Sequence, residues 1–351
     1  MENRITVGMD MGDKNHSICV LDADGSVRKR ATLVNTAEAL RKYFGALPPC
    51  RVALEAGTHS GWISRLLEGL GHEVLVGNPR KLRVIWDSDD KNDDRDAEML
   101  ARIARFDPQL LHPIHHRGQA AHTDLAVIKA RDMLVKSRSM LIAHARGAVK
   151  TLGQRISPCS AEAFHTRLLE EMPEELRPAL EPVMKSIEDL TVRIRHYDQQ
   201  IGKLCTQDYP ETEGLRAISG VGPVTALAYV LTIEERSRFA KSRDVGPFLG
   251  LVPKRDQSGQ TDKQLHITKA GDSYLRRLLV GSAQYILGPF GPDCDLRRFG
   301  LKLAERGGKN AKRRAVVAVA RKLAVMMHHL WTSSEAYDPR YRQTKKQRNA
   351  A

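Results

Sequence analysis

Four acidic positions in the first hundred residues carry the strongest chemical signal in this chain. Asp10 ends an apolar stretch in Val7-Gly-Met-Asp10-Met-Gly-Asp13, Glu55 ends another in Arg51-Val-Ala-Leu-Glu55, and Asp93 and Asp96 fall within Lys91-Asn-Asp-Asp-Arg-Asp-Ala-Glu98. A carboxylate at a strand end projects from a sheet edge, and acids three residues apart on a helix share a face, so Asp93 and Asp96 can aim at one spot. Such a cluster repels itself unless a hard cation sits among its oxygens. Two such ions, about 4 Å apart, stabilise the attacking and leaving oxygens of a phosphodiester in many nucleases and polymerases. The alternative for Asp93, Asp94 and Asp96 is a solvated helix start, where acids complement the helix dipole. Asp10 resists that explanation, because an acid ending an apolar strand needs a partner or a task. Asp13, Asp94 and Glu98 are the competing acids.

Two motifs in the second half suit a polyanion. Leu215-Arg-Ala-Ile-Ser-Gly220-Val-Gly222-Pro-Val-Thr-Ala226 has the spacing of a helix-hairpin-helix. In such a motif Gly220 and Gly222 let the turn approach a DNA phosphate, while the second helix offers free N–H groups. An ordinary glycine-rich helix corner is the alternative. Further on, Gly250-Leu-Val-Pro-Lys254-Arg-Asp-Gln-Ser258-Gly is a polar loop leading to His266-Ile-Thr-Lys269-Ala-Gly-Asp-Ser-Tyr-Leu-Arg276-Arg277. Lys254, Lys269, Arg276 and Arg277 together make a phosphate cradle. A serine in a polar loop is by itself a turn residue, so Ser258 gains weight only from its surroundings. No Ser-His-Asp spacing is legible. His112, His115, His116 and His122 lack the helical spacing of a metal site.

The elements that must position these groups can be read from periodicity. Alternating runs at 5–11, 16–21 and 27–34 predict an antiparallel meander. A helix capped by Thr36, a strand at 51–55, a helix at 60–70, a strand at 73–76, a short helix after Pro79 and a helix at 93–105 follow. That succession describes a mixed sheet with helices packed on it. Residues 123–152 are helical. From Leu180 through Val183, Ile187, Leu190, Ile194, Tyr197 and Ile201 to Leu204, apolar residues step by three and four in alternation, a heptad seam. The seam suits an antiparallel pair with the 123–152 helix inside one subunit and a coiled coil between subunits equally well. Residues 212–331 are helix-rich, and residues 297–322 are strongly basic, with Glu305 the single acid. The chain then ends in a basic stretch, read as a disordered tail.

Composition narrows the class. With 56 basic and 42 acidic residues in 351, the net charge is +14, which selects nucleic acid first and an anionic membrane surface second as the large partner. No apolar run is long enough to span a bilayer and no secretory signal is visible, so a cytoplasmic protein without membrane contact is expected. Five scattered cysteines suit reduced, half-buried thiols.

Taken in order, Val7-Gly-Met-Asp10, Leu54-Glu55-Ala, Asn92-Asp93-Asp-Arg-Asp96-Ala, Ser219-Gly-Val-Gly-Pro, Gly250-Leu-Val-Pro, Gln257-Ser258-Gly and Thr268-Lys-Ala-Gly resemble the DEDD-type insertion-sequence transposases, relatives of the Piv DNA invertase. Asn92 stands where members commonly have Thr, and Asp94 where they commonly have a basic residue. The resemblance implies an RNase H-like, RuvC-like domain over 1–110 with Asp10, Glu55, Asp93 and Asp96 as its Mg2+-binding catalytic acids. It implies a coiled-coil helical region over 120–208, and a helical transposase domain with helix-hairpin-helix over 212–332 in which Ser258 attacks DNA. A basic tail over 333–351 completes an α/β plus all-α architecture. Donor and target DNA, a bridge-type noncoding RNA and a dimer or tetramer of this chain are the implied partners. The alternatives are a junction-resolving nuclease that uses metal-activated water, and a non-catalytic nucleic-acid-binding protein.

Overall fold

The computed structural model describes residues 5–82, 92–258 and 261–341. The short helix expected after Pro79 falls largely outside them. The chain divides into two compact units, residues 1–117 and 118–351.

In the first unit, β1 (Thr6–Met11), β2 (Asn15–Leu21) and β3 (Val27–Val34) form the expected meander, followed by α1 (Ala37–Phe44), β4 (Arg51–Glu55), α2 (Ser60–Gly69), β5 (Glu73–Gly77) and α3 (Asp93–Phe106). The sheet order is β3-β2-β1-β4-β5, with β1 antiparallel to β2 and parallel to β4, and β4 parallel to β5. Alternation sorts the two faces. Val7, Met9, Val52 and Leu54 pack with Leu40, Phe44, Ile63 and Leu67 of α1 and α2. On the opposite face Ala53 packs with Leu100 and Ala104 of α3, and Cys19 and Leu21 pack with Ala97 and Ala101. This mixed α/β unit is compatible with an RNase H-like domain.

The second unit opens with two long helices, α4 (Gln119–Thr151) and α6 (Arg177–Gln207), packed on each other within the chain and joined through α5 (Phe164–Glu171). Leu180, Ile187, Ile194 and Ile201 of the heptad seam are buried in this single chain. The seam is thus satisfied internally, one of the two arrangements its period allowed. Midway along the pair the buried Arg138 donates to Thr191 Oγ1 at 3.2 Å and to Glu162 Oε1 at 3.0 Å, tying both helices to the connecting segment.

The rest of the second unit comprises α7 (Thr212–Arg216), α8 (Pro223–Ile233), α9 (Val245–Phe248), β6 (Pro253–Ser258), β7 (Thr261–Ile267), α10 (Ser273–Leu287), α11 (Asp295–Ala304) and α12 (Ala311–Ser333). Helix α8 is buried along its length, and the Tyr229 hydroxyl donates to the Ala324 carbonyl at 2.6 Å. The polar loop expected around Ser258 is instead a two-stranded antiparallel hairpin. The first part of the basic tail is also ordered: Asp295 donates its N–H to the Pro339 carbonyl at 2.8 Å, and Tyr337 packs against the core. Residues 342–351 lie outside the described chain. All five cysteines are free, and all but Cys159 are buried. Among the described residues no helix is long and apolar enough to cross a membrane.

Candidate active site

Asp10 and Glu55 are brought together by strand pairing. The parallel register runs Thr6 to Arg51, Val7 to Val52, Gly8 to Ala53 and Met9 to Leu54, so the next pair along the two strands is Asp10 and Glu55. Paired residues of parallel strands share a face. Both acids therefore belong to the face of Gly8 and Ala53, the face that α3 covers, and both are half-buried at the carboxyl ends of their strands.

Helix α3 runs antiparallel to these strands and delivers its first turn to the same end. Its last turn meets the start of β4, where Arg51 donates to the Ala104 carbonyl at 3.2 Å; Arg105 holds the Ala23 carbonyl just past the end of β2. Its middle lies directly on Gly8, where a Cβ would stand 1.9 Å from the Ala97 carbonyl oxygen and 2.6 Å from the Ala101 nitrogen. A side chain at position 8 would lift the helix. The first turn, with exposed Asp93 and half-buried Asp96, is thereby set at the end where Asp10 and Glu55 finish. Asn92 caps the helix by accepting from the Asp94 N–H at 3.0 Å.

The competing acids are separated by their partners. Glu98 is paired with Arg30 of β3 and Arg102 of α3, and these guanidiniums hold its carboxyl below the usual range. Asp13 faces His59. Asp94 is exposed on the first turn of α3. Among the described residues no three His, Cys, Asp or Glu side chains already stand together as an ion-binding group. Asp10, Glu55, Asp93 and Asp96 are thus gathered at one end of the first unit without being closed on a single point. As a donor set they are all hard oxygens, which fits a divalent cation such as Mg2+.

In the second unit, α7 and α8 flank the turn at 217–222. Gly220 has φ of +87° there, and a Cβ on it would lie 2.9 Å from Tyr285 Cδ1 and 3.1 Å from the Ser282 carbonyl oxygen. Gly222 caps α8 with nothing within 4 Å of where its Cβ would stand. This turn and α10 border a shallow, open cleft of about 660 Å³ lined by Arg216, Ser219, Gly220, Gly222, Arg277 and Tyr285. Ser258 ends β6 opposite Thr261 at the tip of the hairpin, and Lys254 is exposed on the same strand.

The cations expected to form a cradle differ in employment. Arg276 turns inward, donating to the Leu249 and Ala270 carbonyls at 2.9 and 2.7 Å, so it braces the base of the hairpin. Arg277 is half-exposed, paired with Asp132 at 2.7 Å and stacked over Tyr274. Lys269 is exposed beyond β7 and has positive φ. The basic run at 297–322 divides likewise: Arg297 and Arg298 serve local contacts. Arg306, Lys309, Lys312, Arg313 and Arg314 are exposed around the start of α12 and make no ion pair among the described residues.

Residues 7–153 match a family model described as a transposase, of the DEDD type, and residues 212–292 match one described as the IS116/IS110/IS902 transposase family. The chain is 28% identical to a "Probable family 20 transposase" of Pseudomonas aeruginosa, over 96% of this chain and 99% of that protein. It is 30% identical to the transposase for insertion sequence element IS1111A of Coxiella burnetii, over 94% and 90% of the two chains. It is 29% identical to the pilin gene-inverting protein of Moraxella bovis, over 46% and 52%.

Proposed function

This chain belongs to the IS116/IS110/IS902 family of transposases, enzymes that recombine DNA, and on that premise we propose that it cuts and rejoins strands through a covalent serine–DNA link. Asp10, Glu55, Asp93 and Asp96 would hold one or two Mg2+ ions through their carboxylate oxygens. Bound there, such an ion would supply Lewis-acid stabilisation of the charge that builds up on a DNA phosphate during strand cleavage.

Ser258 is the nucleophile. Its Oγ forms a bond to phosphorus, the bond to one bridging oxygen of the DNA backbone breaks, and the departing DNA oxygen takes up a proton. The hydroxyl of a second strand then attacks the same phosphorus and returns Oγ to the serine, so each cleavage is matched by a rejoining. Exchange between two duplexes requires more than one such centre, hence a dimer or tetramer. Gly220, Gly222 and Arg277 at the 217–222 cleft, with Lys254 and Lys269 near the hairpin, hold the DNA backbone and carry no sequence information. Choice of donor and target comes from a bridge-type RNA that pairs with both.

The observation that carries this reading is the delivery of the first turn of α3 to the carboxyl ends of β1 and β4 by the helix's contact with Gly8. Relatives named as transposases and as a gene-inverting protein support the class of reaction. The test is to mix the protein with RNA transcribed from the flanks of its gene, labelled donor and target DNA, and Mg2+, then resolve the products on a denaturing gel. A protein–DNA adduct formed by the wild type and lost in both Ser258→Ala and Asp10→Ala is expected. Nicked DNA without adduct, still produced by Ser258→Ala, would replace this reading with hydrolysis by metal-activated water. Binding without any cleavage would leave a non-catalytic nucleic-acid-binding protein.

A further inference from the structure

Beside the acid end of the first unit stands a histidine with a fixed tautomer. His59 follows Glu55 by four residues and opens α2, and its Nε2 lies 3.3 Å from Asp13 Oδ1, on the loop that leaves β1. Trp62, one turn further along α2, directs its indole Nε1–H at His59 Nδ1 over 3.3 Å. An indole nitrogen donates and never accepts, so Nδ1 must offer its lone pair and Nε2 must carry the ring's N–H. The loops holding this arrangement are braced. The Ser60 hydroxyl donates to the Gly57 carbonyl at 2.7 Å and accepts the Gly57 N–H at 3.0 Å, while Asn35 Nδ2 donates to the Asp13 carbonyl at 2.9 Å. The partner of the presented N–H is a poor anchor, because the Asp13 side chain is 93% exposed against 29% for His59. Exchanging a solvated carboxylate for another anionic oxygen costs little.

Ligands of parallel sheets bind outside the carboxyl ends of the strands, between the loops that leave them. Here those loops leave β1 and β4, and His59 and Asp13 lie on them. We propose that His59 is a substrate-contacting residue whose Nε2–H bonds a non-bridging oxygen of the DNA phosphate held at the acid end, with Trp62 as the positioning residue that fixes its tautomer. The proposal rests on the reading of Asp10, Glu55, Asp93 and Asp96 as the phosphate-handling acids. It assigns Asp13 no place in the reaction: this carboxylate occupies His59 when nucleic acid is absent and is displaced by phosphate.

The test uses the full chain with its flanking RNA and DNA. Single-turnover cleavage at saturating DNA should fall about 10²-fold in His59→Ala, the loss typical of one donor to a reacting oxyanion. It should fall as far in His59→Asn, whose amide ends short of the Nε2 position. His59→Gln, which places an N–H there, should recover to within about tenfold, with unfolding temperatures unchanged in all three. Asp13→Asn should cleave as fast as the wild type.

A second readout is binding without Mg2+ to duplexes carrying one neutral methylphosphonate at each position in turn. The wild type should lose affinity at one position where His59→Ala shows no further loss. That scan requires no cleavage, so it decides the contact even if the recombinase reading fails. His59→Ala cleaving within about threefold of the wild type, His59→Gln as inactive as His59→Ala, or identical interference patterns for wild type and His59→Ala would overturn the proposal.

Discussion

Gly8 and Ala97 meet so closely that a Cβ on the glycine would stand 1.9 Å from the alanine carbonyl oxygen. Through this contact a residue in the middle of a strand fixes where the first turn of α3 lies, and with it Asp93 and Asp96. Gly8→Ala should therefore destabilise the first unit by about 1–3 kcal/mol, as overpacking does, and should also slow strand cleavage beyond what the smaller folded fraction explains. Chemical denaturation beside single-turnover cleavage at a temperature where the variant is folded checks both.

Glu98 sits two residues from Asp96 but is held by Arg30 and Arg102. Glu98→Gln should retain cleavage within about threefold and cost no more than about 1 kcal/mol of stability, the range for partly solvated ion pairs. Asp96→Asn should abolish cleavage with little change in stability. The two variants measured side by side separate a structural acid from a catalytic one in the same helix.

The two glycines of the 217–222 turn should behave differently. Gly220→Ala forces a side chain into the left-handed region beside Tyr285 and Ser282, and should lower stability by about 1–2 kcal/mol or more. Gly222 faces open space, so Gly222→Ala should fold normally and Gly222→Glu should weaken DNA binding without unfolding the second unit. Thermal unfolding and a binding titration distinguish these effects.

Stability of the first unit should depend on pH through His16. Its ring is fully buried, and that burial pushes its pKa below the ordinary value against the opposing contact with the Asn35 side chain. The unfolded chain therefore takes up this proton first as pH falls below about 6.5. The stability present above that value is lost progressively on acidification toward the folded-state pKa. Denaturant midpoints at pH 7.5 and 5.5 should separate less in His16→Met than in the wild type.

The exposed cations at the start of α12 should act additively on affinity and not on choice of site. Removing Lys312, Arg313 or Arg314 should weaken binding to any DNA or RNA and reduce the slope of log affinity against log salt by about one for each phosphate no longer neutralised. A salt titration with matched and unrelated duplexes measures this.

The first unit was legible because its strands alternate cleanly and its helices are amphipathic; Asp10 and Glu55 stood out as acids closing apolar runs. The parallel pairing that makes them neighbours has no local signature, and neither does the Asp13–His59–Trp62 arrangement, which joins the loop after β1 to the start of α2. The hairpin at 253–267 escaped for a different reason. Pro253 to Gln257 and Leu265 to His266 are exposed, so among the described side chains of these positions no buried side imprints a two-residue period on the sequence. The heptad seam of α6 was visible, but its period is the same whether α4 of the same chain or another subunit covers it. The ordered stretch through Tyr337 and Pro339 was hidden among the charges of the tail.

The central claim is that a serine at the hairpin tip becomes linked to DNA under the control of acids in the first unit. Trypsin digestion of the adduct followed by mass spectrometry tests this most directly, because cleavage after Arg255 and Lys263 isolates Ser258 in the peptide 256–263. Nucleotide mass on that peptide is expected for the wild type, and no adduct for Asp10→Asn or Asp96→Asn. Nucleotide mass on a peptide containing Ser219 or Ser273, or an undiminished adduct in the acid variants, would contradict it.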